Sequence, residues 1–169
     1  MTVQIEQMKG HSMNPVNSIE TQVQQIRRRG EFSLPCSADV AFPFFSPEGE
    51  REWIKAWNPR PVFPETIEFR ADTIFREGHG QQDAVWTIVA VDWPSHRAEY
   101  VRVAPESHTA HIVVKVEPRG AESSSVTASF TVTILGEAGA NLVDKFSESA
   151  YAVKMQTWQH DISDALARR

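Results

Sequence analysis

One helical stripe near the C-terminus constrains this chain more than any other feature. Tyr151, Met155, Trp158, Ile162 and Leu166 follow one another at spacings of four, three, four and four, flanked by Phe146, Ala150 and Val153. At 3.6 residues per turn these positions share one wide apolar face. Gly136, Gly139 and Asn141 end what precedes, and Asn141 with Asp144 offers a helix start, so the spacing predicts a helix from Leu142 to about Ala167. Such a helix is roughly 39 Å long at 1.5 Å per residue. An apolar face of that length needs a whole sheet to cover it.

The sheet is legible upstream. In Ser125 to Leu135, Thr127, Ser129, Thr131 and Thr133 alternate with Val126, Ala128, Phe130, Val132 and Ile134, giving a strand one wet and one apolar face. The same phase in Thr109 to Val116 turns Ala110, Ile112, Val114 and Val116 inward and His111, Val113 and Lys115 outward. Trp86, Ile88 and Ala90 share the inner face of Ala84 to Val91, with Thr87 outside. Arg97 to Val103, Pro61 to Phe69 and Ala71 to Glu77 also read as strands, with turns at His79 to Gln82, Pro94-Ser95, Pro105 with Ser107, and Pro118 with Gly120. A first strand, Glu31 to Leu34, follows Gly30 and is closed by Pro35. After it, Ser37 caps a short helix through Phe45, limited by Pro43. Ser46 and Pro47 then start a second helix carrying Trp53, Ile54 and Trp57, which Asn58 and Pro59 stop. The expectation is an α+β fold: a curved seven-stranded antiparallel sheet wrapped around a long C-terminal helix, with two short helices after the first strand.

Residues 1–29 are poor in large apolar anchors and read as an appendage to a domain of residues 30–169. Ile19, Val23 and Ile26 are spaced for a short amphipathic helix over Ser18 to Arg28, with Arg27, Arg28 and Arg29 as its solvated end. A chain of 169 residues suits one domain. Seventeen Lys and Arg against 22 Asp and Glu leave a net charge of -5, the wrong sign for holding phosphate backbones, so nucleic acid is not an expected partner. The N-terminus lacks the apolar core of a secretory signal, and the longest apolar stretch, Ala84 to Val91, is about a third of a membrane span. A cytoplasmic protein without integral membrane contact is expected, its oligomeric state open between monomer and homodimer. The single cysteine, Cys36, excludes an internal disulfide and reads as a packed thiol.

The common catalytic and nucleotide-binding patterns, G-x-S-x-G, H-E-x-x-H, G-x-x-x-x-G-K-[ST] and G-x-G-x-x-G, do not occur, and no cofactor is expected. Gly78-His79-Gly80 reads as a hairpin turn. His108 and His111, three apart on a strand, point to opposite faces and do not chelate together; each reads as a solvated or strand-end histidine. Tyr100 and Arg102 alternate with Val101 and Val103 and are the weak catalytic candidates. They face inward or outward according to the pleat; if inward, Arg102 is a buried cation that needs a carboxylate partner or an anionic ligand.

The order strand, two short helices, antiparallel strands, long helix is that of the helix-grip fold. At residue level, FSPEGEREWIKAWNP from Phe45 to Pro59, the strand containing Phe75, and AVWTIVAVDWPSHRAEYVRVAP from Ala84 to Pro105 resemble the SRPBCC superfamily (START-like, polyketide cyclase/dehydrase-like, pollen-allergen-like), in particular its bacterial-type members. The match spans about Gly30 to Ala167 and is most specific from Ser46 to Trp57. The resemblance implies a deep apolar cavity between sheet and helix that binds a lipid, polyketide, quinone or similar molecule, in a carrier or in a cyclase-like enzyme working without metal or nucleotide. Members that activate a chaperone ATPase supply the alternative, a protein-interaction module. Independently, seven of the 16 aromatics lie between Phe42 and Phe69, too many for one sheet and one helix to close-pack easily, which favours a cavity over a filled core. The expected wall comprises Trp53 and Trp57; Phe75, Trp86 and Ile88; Tyr100 and Arg102; Ile112, Val114 and Phe130; and Tyr151, Met155 and Trp158 of the helix.

Overall fold

The computed structural model describes residues 24–78 and 83–169. Seven strands form one antiparallel sheet: β1 (Gln25–Leu34), β2 (Arg60–Phe63), β3 (Ile74–Glu77), β4 (Ala84–Asp92), β5 (Arg97–Ala104), β6 (His108–Gly120) and β7 (Ser123–Ile134). Their order across the sheet is β1-β7-β6-β5-β4-β3-β2, so the chain's first strand pairs with its last and the rest form a meander. The expected fold class stands: a curved seven-stranded sheet, short helical turns after the first strand, and a long C-terminal helix.

The expected inner faces of β6 and β7 are the observed ones. Ala110, Ile112, Val114 and Val116, with Val126, Ala128, Phe130, Val132 and Ile134, are all buried. In β4 the phase slips: a bulge between Ile88 and Ala90 pairs Ala90 with Glu99 and brings Val91 opposite the buried Ala98. Because an extra residue inverts the alternation, Val91 packs on the core in place of Ala90 and Val89 is exposed.

Several boundaries move for local reasons. β1 begins at Gln25, so Arg27, Arg28 and Arg29 lie on a strand and Ile26 is buried, rather than ending a helix. The break expected before Gly30 falls inside this strand; the rest of the expected helix, Ser18 to Val23, lies outside the described residues, as does the His79 to Gln82 turn. β2 is only four residues long, stopped by Pro64, which has no N–H to give a ladder, and it is exposed as the edge strand of the sheet. β3 starts late because Asp72 adopts a left-handed φ of 65°.

The helix expected from Leu142 to Ala167 is two helices, α2 (Leu142–Lys145) and α3 (Glu148–Ala167). Ser147 interrupts it with an extended backbone (φ -58°, ψ 159°) and caps α3 by accepting from Ala150 N–H at 3.3 Å. α3 alone spans about 30 Å. The first short helix is α1 (Ala38–Ala41), continued by a 3-10 turn over Phe42–Phe45 that brings Phe42, Phe44 and Phe45 into the core. The second is a single 3-10 turn, Gly49–Glu52, rather than a helix reaching Trp57.

Candidate functional site

The stretch from Ser46 to Pro59 is a compact brace built from side-chain bonds to backbone. The Ser46 hydroxyl donates to Pro43 O at 2.7 Å and accepts from Gly49 N–H at 2.9 Å. Gly49 is required by proximity: a Cβ there would lie 2.0 Å from Pro43 O. Trp53 Nε1 donates to Phe44 O at 2.9 Å and Trp57 Nε1 to Pro47 O at 2.7 Å, so both indoles clamp the loop at its start. Arg51 ties its end, donating to Pro59 O at 2.8 Å. These bonds replace the longer helix that the apolar spacing suggests, and they hold Glu50 and Trp57 against the open side of the sheet.

Between this brace, β3 to β7 and α3 lies a cavity of about 720 Å³. Of the expected wall residues, Trp57, Phe75, Trp86 and Tyr100 line it on the brace side. Arg102, Ile112, Val114, Phe130 and Trp158 line the remainder. The rings interlock: Phe75 stacks on Trp86 with centroids 5.8 Å apart, Trp57 meets Trp86 edge-on at 5.6 Å, and Trp158 meets Phe130 at 6.1 Å. Four expected residues do not reach the cavity. Trp53 is drawn into the core by its bond to Phe44, and Ile88, on the same inner face as its partner Tyr100, is fully buried in the core. Tyr151 and Met155 face β1 instead, with the Tyr151 hydroxyl donating to Ala128 O at 2.8 Å.

Tyr100 and Arg102 both turn inward, paired with Ile88 and Trp86 across β4. The Tyr100 hydroxyl donates to Phe45 O at 2.7 Å, and burial, then Glu50, pushes its pKa well above the ordinary phenol value. Arg102 keeps a side chain 25% exposed, with Nη1 2.6 Å from His108 Nε2 and Nη2 3.6 Å from a Glu77 carboxylate oxygen. Its guanidinium also lies 5.6 Å from the Trp86 ring centroid.

The polar residues that sequence reasoning missed are Glu50, His108, Lys145 and Lys154, all lining the cavity. His108 is the strand-end histidine expected, the first residue of β6, but it also links Arg102 to Ser107. Its Nε2 accepts from Arg102, leaving Nδ1–H to meet Ser107 Oγ at 2.9 Å. Burial, then Arg102 and Lys145, lowers its pKa to about 4, so it is neutral. His111, on the other face, meets Glu99 at 3.0 Å. Burial, then the Glu77 charge, raises the Glu50 pKa well above the carboxylate range and favours the neutral acid. Lys154 sits over the Phe130 and Phe146 rings, 5.5 and 5.0 Å from their centroids, and burial, then Arg102, lowers its pKa. The signal for Lys154 was present, since Ala150, Lys154 and Trp158 lie at i, i+4, i+8 on one helix row.

No protein-family model matches the chain, and no curated protein sequence does either. Solved structures do resemble it. A protein from Rhizobium leguminosarum superposes with a TM-score of 0.64 at 13% identity, over 87% of this chain and 97% of its own. Norcoclaurine synthase from Thalictrum flavum, solved in complex with dopamine and hydroxybenzaldehyde, gives a TM-score of 0.61 at 11% identity over 98% of each chain. Ara h 8.0201 gives 0.60 at 14% identity, over 85% of this chain and 99% of its own. The strand order and the C-terminal helix over the sheet are thus those of the helix-grip fold that these structures share.

Proposed function

We propose that this chain binds an apolar or aromatic small molecule in the cavity between sheet and α3, as a carrier or as a cyclase-like protein. The observation that carries the reading is the cavity itself: about 720 Å³, walled mainly by aromatic and aliphatic side chains with a few polar groups. The norcoclaurine synthase of the same fold, solved with two small molecules, supports it. Of the two candidates weighed from the sequence, the Tyr100 hydroxyl is committed to Phe45 O, whereas Arg102 is placed to orient a ligand. N-phenyl-1-naphthylamine, a neutral aromatic whose fluorescence rises out of water, tests the proposal. Saturable uptake with a Kd near about 1 μM, roughly -8 kcal/mol, is expected. Ala150→Trp, which fills the cavity from α3, is expected to weaken uptake at least about tenfold. No saturable uptake, or uptake indifferent to Ala150→Trp, defeats it.

A further inference from the structure

The cavity walls carry a charge imbalance. Arg102, Lys145 and Lys154 all line it, and Arg102 depresses the proton affinity of both Lys154 and His108, so the cationic side chains feel one another. Among the described residues Lys154 has only ring faces as partners, and the carboxylate paired with Arg102, on Glu77, stands 3.6 Å away. Among the described residues one acid lines the cavity, Glu50, which makes no side-chain hydrogen bond or ion pair and favours its neutral form. His108 does not relieve the excess either. It holds Arg102 through a neutral ring nitrogen, fixing the guanidinium without cancelling its charge. Lys145 is exposed, but Arg102 and Lys154, both partly buried with too few carboxylates, are costly to each other, and an anion brought between them removes that cost.

We infer that the ligand is an acid: an apolar or aromatic body lying against Trp57, Trp86 and Phe130, with an anionic head held by Arg102 and Lys154, and Lys145 beside it. This rests on the cavity reading above and specifies the ligand class. Arg102 supplies directed N–H donors already oriented by His108, and Lys154 supplies a compact charge next to the rings that hold the body. The head is a carboxylate or a phosphate, since both offer the same charge and acceptors.

The test displaces N-phenyl-1-naphthylamine with naphthalenes that differ in the head: 2-naphthylacetate, 2-naphthyl phosphate, 2-(2-naphthyl)ethanol and 2-(2-naphthyl)ethylamine. At least one of the two anions is expected to bind about tenfold or more tighter than the alcohol, with the amine weakest, and the order of the two anions identifies the head. In Arg102→Gln with Lys154→Gln, this preference is expected to shrink to within about twofold while the neutral probe still binds. If probe and alcohol bind but neither anion gains over the alcohol, the acid inference falls and the cavity reading survives. An anion preference that persists in the double variant also overturns it, because the head is then held elsewhere. If the double variant does not fold, Lys154→Gln alone decides, with a loss of at least about threefold in the preference expected and no loss overturning the assignment. Failure of the neutral probe to bind the unmodified protein removes both readings.

Discussion

Two rows of side chains run along α3 and meet opposite surroundings. Tyr151, Met155 and Ile162 are buried to 4% exposure or less, the first two against β1 and the backbone of β7. Contact there is close enough that a Cβ on Gly30 of β1 would lie 2.5 Å from Met155 Cγ and 3.0 Å from a Tyr151 ring carbon. Ala150, Lys154 and Trp158, one position away around the helix, border a void. The difference follows the neighbours: one row packs directly on β1, whereas the other faces Glu50, Ile54 and Trp57 of the brace and strands β3 to β7 across the cavity. One helix thus serves as core on one side and as cavity wall on the other, and substitutions on the two rows should cost differently.

The largest effect belongs to the closed row. Met155→Ala should lose about 2 to 5 kcal/mol in urea unfolding, since the side chain is buried and truncation leaves a gap against Gly30 and Tyr151. A loss below about 1 kcal/mol would mean that this side is loose too. Gly30→Ala should cost about 1 to 3 kcal/mol by overpacking the same contact. Made in the Met155→Ala background, it should cost distinctly less, because the clashing atoms are gone. Additive losses in that cycle would show that the glycine matters for its backbone rather than for its closeness to Met155.

This asymmetry also marks how far the sequence could be read. The period of the C-terminal stripe, the alternation in β6 and β7 and the hairpin spacing are repeated signals, and the strand count and element order followed from them. The stripe could not say which of its members would face a void. Tyr151 and Trp158 are equally apolar and share a face; what separates them is the position of the brace, a long-range fact. The cavity's polar residues were hidden for a similar reason. Glu50 and His108 sit in a polar turn and at a strand end, where nothing local points to a cavity, and Lys154 is marked only by sharing a helix row with Ala150 and Trp158. The bulge at Val89 shifts one strand's phase by a single residue, and nothing in a run of β-branched side chains announces it.

On the open row, Trp158→Ala should cost only about 1 to 2 kcal/mol, less than the 3 to 5 kcal/mol roughly expected for a close-packed tryptophan. Its ring meets Trp53 at 5.4 Å and Phe130 at 6.1 Å, but atoms that face the cavity have no partners to lose. Naphthylamine affinity should fall about tenfold or more in the same variant. A large stability loss with unchanged affinity would move Trp158 into the core and erase the contrast between the rows.

The smallest effect is a cancellation between two cavity groups. Glu50 has a raised pKa in the folded chain, so above its ordinary value of 4.5 the folded state holds the proton more tightly than the unfolded state does, and stability falls as pH rises. His108 has the opposite slope. Its folded pKa of about 4 lies below the ordinary 6.5, so between these values the unfolded state binds the extra proton and stability rises with pH. The windows overlap between pH 4.5 and 6.5, where the two contributions oppose each other. Screening around the half-buried His108 reduces its share to less than about 1 kcal/mol in total. Other titrating groups cancel when each variant is compared with the unmodified protein across this range. Relative to it, Glu50→Gln should grow more stable as pH rises from 4.5 to 6.5, and His108→Gln should grow less stable. If both variants track the parent curve, neither group is held away from its ordinary ionisation, and the cavity is wetter than its walls imply. Parallel tilts of the same sign would mean that the two residues titrate as one unit through Arg102, which lies within hydrogen-bond reach of His108 and shares the cavity wall with Glu50.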